Sequence, residues 1–264
     1  MSGIIIAAAV VGGTGIFIGL LLGIAGVKLK VEVDQIELDV RAALPGNNCG
    51  GCGLPGCDAL AKAISEGRAA VGACPVGGAS VAEKIATIMG ADVGETTHNI
   101  AFVKCAGTCE VTKETYKYTG VEDCTVMPFV PNGGPKTCTY GCMGYGACVK
   151  ACQFDAIHII NGIAVVDKEA CKDCGKCVAI CPRHLIEIIP YEAPLAVSCA
   201  SKDKGKDVLA GCSVGCIACG ICVKQCEFDA IHIENNIAHI DYEKCTGCGK
   251  CAEKCPKKII KFQK

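Results

Sequence analysis

The feature that most constrains what this chain can fold into is a run of cysteines spaced C-x2-C-x2-C-x3-C-P, present at 171–182 and again at 245–256. Three thiolates on one tight loop can converge on a single iron–sulfur cube, whereas structural zinc usually takes two separated cysteine pairs. The 264 residues hold 25 cysteines, an odd total, and the runs gather sulfurs locally instead of pairing them across the fold. A disulfide framework belongs to short secreted domains with too little core, and this chain is far longer. Iron–sulfur ligation is the reading that fits.

The runs sit inside an internal repeat. Adding 74 to the residue number carries Cys138, Cys142, Cys148 and Cys152 onto Cys212, Cys216, Cys222 and Cys226. The same step carries Cys171, Cys174, Cys177 and Cys181 onto Cys245, Cys248, Cys251 and Cys255, and FDAIHI at 154–159 onto FDAIHI at 228–233. Between the two runs of each copy lies an alternating apolar segment, AIHIINGIAVVD or AIHIENNIAHID. Its Asn-Gly at 161–162 is a hairpin signal, so each copy reads as a hairpin with a cysteine run at either end. In a two-cluster ferredoxin the fourth cysteine of each run crosses to the other cluster. That assigns Cys216, Cys219, Cys222 and Cys255 to one cluster, and Cys245, Cys248, Cys251 and Cys226 to another. In the first copy Tyr145 stands where the second has Cys219. Cys138 is the available replacement, so the expected sets are Cys138, Cys142, Cys148 and Cys181, and Cys171, Cys174, Cys177 and Cys152.

A third cysteine unit precedes the repeat. NCGGCGLPGC and the later CPVGG are spaced C-x2-C-x4-C-x16-C and offer Cys49, Cys52, Cys57 and Cys74 to one site. Its glycines let the backbone wrap closely around a cluster. The bare spacing leaves zinc open, and the ferredoxin-like repeats beside it favour iron–sulfur. DALAKAISEGRAA and ASVAEKIATIMG read as helices of this unit. Five cysteines remain: Cys105, Cys109, Cys124, Cys199 and Cys212. A sixth cluster using Cys105, Cys109 and Cys124, which would compete for Cys138, stands beside the reading of these five as buried free thiols or vestigial ligands. Cys124 and Cys199 precede the two copies at nearly the same distance, which suggests equivalence. His158 and His232 are expected to pack within their hairpins.

The formal net charge is −1, from 26 basic and 27 acidic residues. With no basic excess and no interleaved aromatics, a nucleic-acid surface is not expected. Trp is absent and aromatics make up 5%, so cluster ligation is expected to supply part of the folding free energy. No G-x-G-x-x-G follows a strand and no P-loop is present, so no NAD, flavin or ATP site is expected. Residues 3–27, GIIIAAAVVGGTGIFIGLLLGIAGV, carry no charge and are long enough to span a bilayer with some tilt. The missing basic n-region, the length and the missing A-x-A signal speak against a cleaved signal peptide. Lys28 and Lys30 follow the span and no Lys or Arg precedes it, which orients the C-terminal part to the cytoplasm. Gly15, Gly19 and Gly23 share a helical face that could admit another transmembrane helix. Residues 31–44 read as an amphipathic link. The expected class is α+β: a transmembrane helix (1–28), a small helical Fe–S domain (29–92), a cysteine-containing connector (93–137), and two tandem bacterial-type two-cluster ferredoxin domains (138–190 and 191–264).

This order of parts resembles the B subunit of the Rnf complex, a membrane-bound ferredoxin:NAD+ oxidoreductase. The resemblance covers essentially the whole chain and rests on the anchor, the LPGNNCGGCGLPGCDALAKAI…CPVGG unit, CTYGCMGYGACVKACQFDAI and the two ferredoxin runs. NCGGCGLPGC alone also resembles an iron–sulfur domain of corrinoid proteins in carbon monoxide metabolism, so the combination with the anchor is what is specific. The resemblance implies a protein at the cell membrane that takes electrons from soluble reduced ferredoxin. It implies further membrane and cytoplasmic subunits that hold flavins and the NAD site, with electron flow driving Na+ or H+ across the membrane. At least five [4Fe–4S] clusters are expected, with no catalytic side chain, because outer-sphere electron transfer needs none. The alternative is a polyferredoxin wire serving another membrane redox enzyme such as a hydrogenase.

Overall fold

The computed structural model describes residues 2–28, 34–94 and 98–263; Lys30, one of the two charges used for orientation, lies outside them. Helix α1 (Ser2–Lys28) carries the uncharged stretch, of which Gly3–Gly26 is long and apolar enough to cross a membrane. None of that span is buried, and a Cβ at Gly15, Gly19 or Gly23 would meet open space. A helix that is apolar all round and unburied suits lipid as its surroundings.

The N-terminal cysteine unit is built on α2 (Gln35–Ala43), α3 (Cys57–Ser65) and α4 (Gly78–Met89). Helix α2 falls in the segment expected to be a link, yet its Val40 and the following Leu44 are buried with Leu60, Ile64 and Ile85. Two local interactions fix its ends. The Asp34 carboxylate accepts the Ile36 N–H at 3.1 Å as an N-cap, which satisfies a backbone donor left open by the helix start. Arg41 in the last turn pairs with Asp58 of α3 at 2.5 Å. Helix α4 ends at Gly90, whose φ of 63° closes it with a left-handed residue, the usual stop for a helix.

The rest of the chain repeats one plan twice. The first unit runs β1 (Asn99–Val103), α5 (Ala147–Ala151), β2 (Ile157–Ile160), β3 (Ile163–Val166), α6 (Lys176–Ile180) and β4 (Ile186–Pro190). The second runs β5 (Leu195–Val197), α7 (Gly205–Gly211), α8 (Ile221–Lys224), β6 (Ile231–Glu234), β7 (Ile237–Ile240), α9 (Lys250–Glu253) and β8 (Ile260–Phe262). In each, an outer antiparallel pair flanks an inner hairpin: β1 with β4 and β5 with β8 outside, β2 with β3 and β6 with β7 inside. Both hairpins turn on two residues with positive φ, Asn161-Gly162 and Asn235-Asn236, the tight loop whose twist matches the strands. The connector was expected to stand outside the first unit, but it supplies β1, with Asn99 opposite Pro190 and Val103 opposite Ile186. Ile100, Ile157, Ile163, Leu185 and Ile189 bury one core, and Leu195, Ile231, Ile237 and Ile259 the other.

Candidate metal centres

Four one-turn helices carry the third cysteine of each run: Cys148 on α5, Cys177 on α6, Cys222 on α8 and Cys251 on α9. Helices of four or five residues do not hold themselves together, so their loops must be fixed by packing and by what the sulfurs bind. Each loop has two left-handed residues around its second position: Gly144 and Gly146, Asp173 and Gly175, Ala218 and Gly220, Gly247 and Gly249. The double reversal aims the loop's sulfurs at one point, and glycine reaches that backbone shape with least strain.

In the second unit one cavity is lined by Cys216, Cys219, Cys222 and Cys255, and a second by Cys226, Cys245, Cys248 and Cys251. These are the two crossed sets expected from the spacing. In the first unit burial pushes the Cys177 thiol up to about 12, with Cys171, Cys174 and Cys152 around it. Cys49, Cys57 and Cys74 gather in the N-terminal unit, where Cys52 packs against the same core. The two neighbourhoods touch. Gly51, between Cys49 and Cys52, lies so near the first unit that a Cβ there would stand 3.0 Å from Cys174 Cα and 3.3 Å from its carbonyl oxygen.

The remaining first-unit set differs from expectation. The cavity lined by Cys142, Cys148 and Cys181 takes Cys124 as its fourth cysteine, and Cys138 is not on its wall. Burial pushes the Cys148 thiol up to about 12, with Cys142, Cys124 and Cys181 as its neighbours. The Cys124 loop is pinned by Asp123, whose carboxylate accepts the Thr125 N–H at 2.9 Å and hydroxyl at 2.7 Å, and Lys150 of α5 at 3.2 Å. Those bonds, the Thr125 amide first, hold the Asp123 carboxyl down at about 2. Cys138 instead shares a cavity with Cys105, Cys199 and Cys212. Cys109 is exposed beside the first hairpin turn, where its amide donates to Asn161 O at 3.0 Å. Cys105, Cys109 and Cys124 are therefore not brought together. The counterpart of Cys199 is Cys105 rather than Cys124, since each stands two residues beyond a first outer strand, β5 or β1. His158, expected to pack, is exposed, and His232 lies half-buried 3.8 Å from Asp229.

The donor chemistry fits cubane clusters better than single ions. Among the described residues, no three His, Cys, Asp or Glu side chains converge tightly enough for one metal ion, and the cysteines are free thiols standing around cavities. Backbone amides point at the sulfurs: Ala101 to Cys171, Ala156 to Cys152, Ala164 to Cys142 and Ala230 to Cys226 at 3.4 Å, and Leu185 to Cys181 at 3.5 Å. Donors to sulfur favour thiolate over thiol and raise cluster potentials. A bound [4Fe–4S] cube supplies reversible one-electron storage; the chain's part is to ligate, to donate hydrogen bonds and to exclude water.

Three protein families match segments of this chain: an Fe-S cluster family over residues 44–76, a 4Fe-4S binding domain over 163–186 and a 4Fe-4S dicluster domain over 215–259. The chain is 48% identical to the B subunit of the Na(+)-translocating ferredoxin:NAD(+) oxidoreductase complex of Acetobacterium woodii, across 98% of this chain and 78% of that one. The chain belongs to the B-subunit family of ion-translocating oxidoreductase complexes. Within that family it is 43% identical to the B subunit of the ion-translocating oxidoreductase complex of Methanosarcina acetivorans, across 97% of each chain. It is 37% identical to the B subunit of the proton-translocating ferredoxin:NAD(+) oxidoreductase complex of Clostridium ljungdahlii, across 94% of this chain and 88% of that one. As a member of that family, it is an iron–sulfur electron-transfer protein that works with the other subunits of its complex.

Proposed function

We propose that this protein receives electrons from soluble reduced ferredoxin and passes them to partner subunits of a membrane-bound ferredoxin:NAD+ oxidoreductase that moves ions. The names of its relatives support the reaction, and a sequence with no G-x-G-x-x-G after a strand and no P-loop supports leaving NAD to a partner. We assign five clusters: to Cys49, Cys52, Cys57 and Cys74; to Cys171, Cys174, Cys177 and Cys152; to Cys142, Cys148, Cys181 and Cys124; to Cys216, Cys219, Cys222 and Cys255; and to Cys245, Cys248, Cys251 and Cys226. The observation that carries the reading is the contact of the Gly51 loop with Cys174, which lets neighbouring cysteine sets exchange electrons through bonded and touching atoms. Residues 1–28 anchor the protein, and the residues that follow face the cytoplasm, a topology supported by Lys28 after the span. The test is anaerobic stopped-flow mixing of the full chain in detergent with reduced ferredoxin. Its iron–sulfur absorbance should bleach, and NADH alone should leave it unchanged. Bleaching by NADH, or none by ferredoxin, overturns the proposal.

A further inference from the structure

We propose a sixth [4Fe–4S] centre at the seam between the two ferredoxin units, ligated by Cys105, Cys138, Cys199 and Cys212, which relays electrons from one unit to the other. It rests on the cluster reading above and on a site built with internal symmetry. Each unit gives two cysteines from matching places. Cys105 and Cys199 follow β1 and β5 by two residues, and Cys138 and Cys212 stand four residues before Cys142 and Cys216. The two-cluster pattern has no use for these four, yet each copy carries its pair. They line one cavity of about 40 Å³, against about 20 Å³ for each cluster site of the second unit.

The amides repeat the symmetry. Cys105 Sγ accepts from Gly107 N at 3.4 Å and Cys142 N at 3.3 Å. Cys199 Sγ accepts from Cys216 N at 3.3 Å and from the Ser201 amide. The amides of Tyr140 and Gly141 point at Cys138, and those of Val214 and Gly215 at Cys212. Backbone amides thus approach all four sulfurs, in matching places of the two units. Gly107 and Gly141 form part of the wall; a Cβ on either would meet two sulfurs of the set within 3.8 Å.

A buried charge points the same way. Lys136 is buried and its ammonium donates to the carbonyls of Gly107 at 3.1 Å, Cys142 at 2.6 Å and Gly162 at 3.2 Å. These carbonyls solvate it without neutralising it, and no carboxylate pairs with it among the described residues. A buried cation calls for an anion nearby. A four-thiolate cube carries net negative charge, and Lys136 lies close enough to act on both Cys142 and Cys212.

The amide contacts also define the path. Cys142, a ligand of the first unit, donates to Cys105 Sγ, and Cys216, a ligand of the second, donates to Cys199 Sγ. One electron from the reduced Cys142 cluster takes the seam centre from [4Fe–4S]2+ to [4Fe–4S]+. The oxidised Cys216 cluster then takes the same electron, with no bond made or broken.

The experiment uses the full chain prepared anaerobically, with iron, sulfide and zinc measured per chain. The wild type should hold about 24 irons and about 24 sulfides, six cubes of four. Cys138→Ser/Cys212→Ser should hold about 20 of each. In the variant, reduced ferredoxin should leave the second unit's clusters oxidised while those of the first unit are reduced. A wild type with about 20 irons overturns the seam centre whether or not the variant folds, and leaves the five-cluster reading intact. About 24 irons retained in the variant overturns the ligand set. One zinc per chain that the variant loses overturns the cluster, and mostly zinc with little sulfide overturns both readings together.

Discussion

Tyr145 occupies the loop position that the second repeat gives to Cys219, and the backbone around it has not changed to suit. Gly144 and Gly146 keep φ of 80° and 74°, beside 53° and 71° at Ala218 and Gly220. The ring is half-buried, tilted against Tyr118 at 6.3 Å between centroids, and the fourth cysteine on the cavity wall is Cys124. Cys124→Ala is expected to cost the chain about four irons and the EPR signal of that cluster. Tyr145→Cys in the same background should restore both, because the loop already has the shape of a ligating run. Iron that stays low in the double variant sinks this account. Spacing reveals ligands that share a loop, since a few bonds then fix where the sulfurs can go. It led to Cys138 here because that cysteine lies inside the repeat, whereas Cys124 arrives from a separate loop held by Asp123, a contact with no sequence period.

At the scale of elements, the hairpins and the helices α3 and α4 were legible because alternation, Asn-Gly and a terminal glycine are local signals. The one-turn helices were not, being shorter than the period that would reveal them. Strand β1 was missed because its partner comes about eighty residues later, and α2 because nine residues of mixed character read equally well as a link. The span in α1 is not buried against any of the described residues, so its removal should spare the rest. A chain lacking residues 2–28 is expected to leave the membrane fraction while keeping its full iron and its reduction by ferredoxin. Lost iron in that protein would mean that α1 supports the cysteine units after all.

Across the whole molecule, the cysteine sets follow one another from the N-terminal unit through the first repeat and the seam to the second. At Gly51 a Cβ would stand 3.0 Å from Cys174 Cα, so a side chain there must push the two neighbourhoods apart. Gly51→Val should leave the iron content unchanged and slow electron exchange between the N-terminal cluster and the first unit, as read by freeze-quench EPR after rapid mixing. An unchanged rate would place the route elsewhere. The pairing of β1 with β4 has a further consequence, for biosynthesis. The N-terminal unit is complete once Gly90 has been made, but β1 must wait for β4. At ribosomal speeds of about 5–20 residues per second that wait lasts roughly 4–16 seconds. During it Cys105, Cys124 and Cys138 leave the ribosome before β4 can close the outer strand pair of their unit.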